Sequence, residues 1–90
     1  GAVAEMVGRQ LRALAASRQV LCVTHLAQVA SQAERQLRIA KRTAGGTTRT
    51  TVEVLEETER VEELARMLGG TVITATTREH AREMLESAAL

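Results

Sequence analysis

No aromatic residue occurs anywhere in these 90 residues. An aromatic side chain buries roughly 150–250 Å², so a core limited to Leu, Val, Ile, Met and Ala must be assembled from many small contributions. A domain near this size buries only about 60–65% of the surface its unfolded chain exposes. Its independent stability is therefore expected to be marginal, and the chain to be part of something larger or to associate with a copy of itself, since bare apolar faces and sheet edges seek partners. Proline is absent too, and the single cysteine, Cys22, excludes an internal disulfide. Lying inside an apolar run, Cys22 reads as a buried, inert thiol. No apolar run approaches the roughly 20 residues of a membrane span, and the N-terminus lacks a basic region followed by an apolar one. A cytoplasmic protein with no membrane partner is the expectation.

The missing motifs restrict the enzymology. There is no G-x-x-x-x-G-K-[ST] phosphate loop, no G-x-G-x-x-G turn, no C-x-x-C pair and no H-E-x-x-H. Two histidines and one cysteine, spread over three elements, could not complete a zinc site without carboxylates. No metal is expected to be held by this chain.

What is present suits a small globular domain: 44% hydrophobic and 26% charged residues, with a formal net charge of +1. The charges are segregated. Five basic residues (Arg35, Arg38, Lys41, Arg42 and Arg49) stand against Glu34, and six glutamates between Glu53 and Glu63 stand against Arg60. Such runs form either solvated surfaces that offset each other or, for the basic one, a surface that meets phosphate. Arg35, Arg38, Lys41 and Arg42 are the candidate DNA or phosphate contacts.

Periodicity predicts the elements. Val3, Val7, Leu11 and Leu14 share one helical stripe over residues 2–17. Val20-Leu21-Cys22-Val23-Thr24-His25-Leu26 is a continuous apolar run that ends abruptly in a threonine and a histidine, of the kind buried on both faces of a parallel sheet. Leu26, Val29, Ala30 and Ala33 then continue with helical spacing. Leu37 and Ile39, the turn Ala44-Gly45-Gly46, and Val52 and Val54 predict a β-hairpin, whose wet polar face places it at a sheet edge or as a flap beside the sheet. Val61, Leu64, Ala65 and Leu68 line a helix over residues 57–68, with Glu62 and Arg66 as an i,i+4 pair and Gly69-Gly70 as its stop. Thr71-Val72-Ile73-Thr74 is a short strand or linker. Thr76 and Glu79 fit a capping box for a last helix carrying Ala81, Met84, Leu85 and Ala88.

Ligands bind at the carboxyl ends of strands in parallel sheets, which is where His25 falls. A histidine there either satisfies backbone groups or hydrogen-bonds a phosphate or a reacting water. Thr24 either caps the following helix or joins the same ligand. His80, beside Arg78, reads as a solvated surface residue.

Three blocks carry a resemblance. Val20 to Ala30 resembles the switch-histidine strand and following helix of the RecN family, bacterial DNA repair proteins in the SMC-like branch of ABC-type ATPases. Glu59-Arg60-Val61-Glu62-Glu63-Leu64-Ala65-Arg66-Met67-Leu68-Gly69-Gly70 is similar to a stretch near that family's C-terminus, and His80-Ala81-Arg82-Glu83-Met84-Leu85 to its final helix. The resemblance implies an α/β fold, the C-terminal part of an ABC/SMC-type P-loop ATPase head, in the order α-β-α-β-β-α-α with the β-hairpin at the sheet edge. It implies that residues 1–90 are one partial domain starting just after the D-loop, with the signature sequence and Walker B acidic pair upstream. His25 would then be the switch histidine that contacts the terminal phosphate and helps place the attacking water, with Thr24 beside it. ATP and magnesium would belong to the complete protein, and this chain alone would hold neither and be inactive. Its partners would be the N-terminal part of the same head, a second head in a nucleotide-dependent dimer, and DNA, in a nucleoid-associated role in double-strand break repair and recombination. Many relatives have proline where this chain has Ala27; alanine keeps the helix and is expected to leave the role unchanged. The alternative from a different class is a small nucleic-acid-binding or protein-assembly module with no ATPase role.

Overall fold

The computed structural model describes residues 1–89. Its elements are α1 (Ala2–Ala15), α2 (Ala27–Ala30), β1 (Leu37–Ala44), β2 (Thr47–Val54), α3 (Glu57–Gly69) and α4 (Ala75–Ala88). The order is thus α-α-β-β-α-α, one strand short of the expectation.

The packed centre is small and aliphatic. Ala27, Val61, Leu64, Ala65 and Ala81 form it, with Ala30, Met67, Leu68, Ile73, Met84 and Leu85 packed against it. Leu64 is the one large side chain fully buried among the described residues. The predicted apolar stripes of α3 and α4 therefore face each other, and Ala27 of α2 closes the cluster.

Glu56 caps α3 through a reciprocal box in which its backbone N–H donates to the Glu59 side chain at 3.0 Å. At the other end Gly70 has φ +77, a conformation that suits glycine. Two details differ from the expected pairing. Arg66 bonds Glu63, three residues before it, while Glu62 accepts from Arg78 of α4 at 2.7 Å. Glu63 is buried and needs the guanidinium close, and Glu62 serves better as a tie between helices. The cap of α4 is Thr74, whose hydroxyl accepts from the Thr77 N–H at 3.1 Å; the helix begins two residues earlier than a Thr76 cap allows. Thr71 to Ile73 form a linker and no strand.

α1 departs from its amphipathic pattern. Val3, Val7 and Leu14 of the predicted stripe are exposed, and the buried residue is Gly8. The reason is length: α1 packs against α2, whose four residues span only about 6 Å, too little to cover a stripe running the length of α1. At the crossing a Cβ on Gly8 would lie 2.9 Å from Gln32 Cγ and 3.1 Å from the Gln28 carbonyl. Arg12 adds a bond from its guanidinium to the Gln32 carbonyl at 3.2 Å.

The hairpin forms as expected, antiparallel, with Leu37 opposite Val54, Ile39 opposite Val52 and Arg42 opposite Arg49. Gly45 and Gly46 make its two-residue turn with φ +58 and +76, the positive values a type I′ turn requires. Its base is held where the Leu55 N–H donates to the Gln36 carbonyl at 3.0 Å and Leu55 is buried. The pair forms a two-stranded sheet by itself, so it is a projecting ribbon and lies at the edge of no larger sheet within the described residues.

The buried strand at Val20 to Leu26 does not form. Residues 19–24 carry no regular structure, and Leu21 and Val23 are 84% and 87% exposed. Cys22 is exposed as well, against the expectation of a buried thiol. A central strand needs a hydrogen-bonding neighbour on each side, and the described residues provide none for this segment.

Candidate functional site

The site begins where the unpaired segment meets α2. His25 sits at a bend, exposed, between Thr24 and the extended N-cap residue Leu26. The Thr24 hydroxyl accepts from the Leu26 N–H at 3.0 Å, closing a short side-chain turn around His25. Thr24 thus shapes the bend before the helix and does not bond the first turn of α2, which has no side-chain cap. Beyond the bend, Ala27 is buried in the core and Val29 is also buried, so α2 anchors the bend to α3 while the His25 ring stays in solvent. Two surface depressions, one on α1 between Ala2 and Ala13 and one between α3 and Arg82, are lined by neither Thr24 nor His25.

A residue the pattern did not single out holds this region to α3. Arg60 donates from Nε to Gln36 Oε1 at 3.2 Å and from Nη2 to the carbonyls of Ala30 at 3.3 Å and Ala33 at 3.0 Å. Burial lowers its pKa from the ordinary arginine value, partly offset by the charge of Glu57, yet a guanidinium remains charged. Arg60 is a second donor to the Ala30 carbonyl, which already accepts from the Ala33 N–H at 3.2 Å, and it also holds the Ala33 carbonyl in the loop beyond α2. In sequence it was one cation among glutamates, and nothing local marked its reach.

The basic candidates separate. Arg35 is exposed in the loop before β1. Arg38 is committed to Glu53, directly across the ladder, at 2.6 Å, and the bond and charge of Glu53 raise its pKa. Among the described residues this is the one ion pair that joins the basic and acidic runs. Lys41 and Arg42 are exposed near the tip, on opposite faces of β1 because side chains alternate. Arg49, outside the candidate set, is brought opposite Arg42 by the register. His80 is exposed on α4 as expected.

Taken as a nucleotide site, these residues are incomplete. His25 and Thr24 offer a ring and a hydroxyl, but the positive-φ glycines lie in the hairpin turn and after α3, so no glycine-rich cradle stands beside them. No group of three or more His, Cys, Asp or Glu side chains is gathered for a cation among the described residues. Among the described residues no helix is long and apolar enough to cross a membrane.

No family model matches the chain. Curated proteins named DNA repair protein RecN are similar to it along nearly all its length. The protein of Streptomyces coelicolor is 52% identical over 88 residues, 98% of this chain and 15% of the relative. Those of Vibrio cholerae and Halalkalibacterium halodurans are 49% and 43% identical, again over 98% of the chain and 16% of the relative. The chain spans 15–16% of the length of these relatives.

Proposed function

The chain corresponds over nearly its whole length to a segment of RecN, and from that premise we propose that it forms the C-terminal part of an ATPase head acting in DNA double-strand break repair and recombination. The fold proposed is that of an SMC-like, ABC-type P-loop head, and the segment begins just after the D-loop. Val20 to Thr24 becomes a strand there when the N-terminal part of the head supplies its neighbours. The observation that carries this reading is an apolar segment rich in β-branched residues and left without a partner, with Leu21 and Val23 84% and 87% exposed, leading into an anchored bend that presents His25.

His25 contacts the terminal phosphate of ATP held by the rest of the head and helps place the attacking water, and Thr24 sets the bend that aims it. The nucleotide cradle and magnesium ligands come from elsewhere in the complete protein, as does the second head of the nucleotide-dependent dimer. The protein works in the cytoplasm, associated with the nucleoid. Residues 1–90 alone do not turn over ATP, because phosphoryl transfer needs the phosphate cradle and metal ligands as well as a water-positioning group.

Steady-state ATP turnover tests this. In the complete protein His25→Ala should lower kcat by about a hundredfold or more while nucleotide binding persists. Unchanged turnover in that variant would reject the role given to His25, and magnesium-dependent turnover by residues 1–90 alone would reject the partial-site reading.

A further inference from the structure

We propose that the tip of the β1–β2 hairpin is a sequence-independent contact for the phosphate backbone of DNA, made by Lys41, Arg42 and Arg49. The proposal rests on the reading of the chain as part of a DNA repair protein, and it assigns that protein a surface made of residues other than Thr24 and His25.

Three observations meet there. The first is charge: between Arg35 and Val52 the chain has five cations and no carboxylate. Of the four cations on the strands, Arg38 is neutralised by Glu53 at the base, while Lys41 and Arg42 of β1 and Arg49 of β2 make no ion pair among the described residues. The second is register. Arg42 and Arg49 are directly opposed on one face of the ladder, an arrangement that places like charges about 5 Å apart at Cβ and opposes pairing. An anion lying across both would relieve it. Residues 41–52 are all exposed, so nothing in the fold does.

The third is side-chain chemistry. The other positions near the tip are Thr43, Thr47, Thr48, Thr50 and Thr51, with small Ala44, Gly45 and Gly46 at the turn. Hydroxyls and guanidinium groups bond phosphate oxygens. The tip has no aromatic group to stack on a base and no Asn or Gln to read an adenine edge. A two-stranded ribbon is narrow enough for the major groove of duplex DNA, and its composition restricts it to backbone contacts.

The test uses the complete protein and a fluorescein-labelled duplex of mixed sequence, with anisotropy measured over a series of salt concentrations. Arg42→Thr combined with Arg49→Thr keeps residues that favour strands. It should weaken binding equally for duplexes of different sequence, and lower the steepness of log K against log salt by about 2. Arg42→Lys with Arg49→Lys should retain the wild-type slope, because point charges suffice for phosphate. Arg9→Ala with Arg82→Ala removes the same charge from α1 and α4 and should leave the slope unchanged. Wild-type affinity and slope in the threonine variant would overturn the proposed surface while the repair reading stands. An equal loss in the α1/α4 variant would also overturn it, by showing that only net charge matters. No binding by the wild-type protein even at low salt would overturn the surface and the DNA-related reading together.

Discussion

Gly8 shows how one residue can decide a contact that its neighbours only suggest. Alanine is the better helix former by about 1 kcal/mol, yet a Cβ here would meet Gln32 Cγ at 2.9 Å and Val29 Cα at 3.2 Å. Gly8→Ala should therefore lower stability by about 1–3 kcal/mol through overpacking, read as a lower urea midpoint. Arg60→Met keeps most of the aliphatic stem and removes the donors to Gln36, Ala30 and Ala33. That change should cost about 1–3 kcal/mol, while ATP turnover by the complete protein falls only as far as the α2 bend loosens. Leu64→Ala should cost about 2–5 kcal/mol, enough to abolish the helical circular dichroism signal of a chain with so small a core. The positions of Leu64 and Ala65 were legible from helical spacing. Gly8 and Arg60 were not, because their roles depend on the distance between helices and on which carbonyls the fold brings within reach of α3, neither of which a one-dimensional pattern encodes.

Among the elements, the hairpin was the most legible, since alternating Leu37 and Ile39 against Val52 and Val54 around Gly45-Gly46 leaves one register that keeps the apolar residues together. The opposed arginines give it a measurable weakness. Arg42→Thr should raise the melting temperature, with a gain of roughly 0.2–1 kcal/mol, so the wild-type sequence carries a local cost at the tip. The caps were less legible. Several threonines before α4 compete, and the one whose hydroxyl reaches the third amide, Thr74, is decided by where the linker from α3 delivers the chain. Glu56 is not legible as a cap because a carboxylate replaces the usual serine or threonine of the box. The apolar run at Val20 to Leu26 departs from its pattern for a different reason: strand character in sequence records fitness for a sheet, and the sheet must exist for the strand to form. The candidate site was legible as the pair Thr24 and His25, but their surroundings were not, since the bend is set by a hydrogen bond to Leu26 and by Ala27 being buried across the chain.

At the scale of the whole molecule the balance between buried and exposed apolar residues dominates. Leu21, Val23, Ile39, Val52, Val54 and Val72 are all more than half exposed, while the core is built around one leucine. Residues 1–90 in isolation should self-associate, with an apparent mass in sedimentation that rises with concentration. Backbone amides from Val20 to Thr24 should exchange rapidly with solvent in that isolated chain and become protected in the complete protein, as measured by hydrogen exchange. Persistent rapid exchange in the complete protein would remove the argument that this segment is a strand awaiting its neighbours. The exposed Cys22 turns the same question into simple chemistry. It is the sole thiol of these residues, midway along that unpaired segment, so the rate at which an alkylating reagent modifies it acts as a built-in gauge of assembly: fast while the segment is bare, slow once a neighbouring strand shelters it.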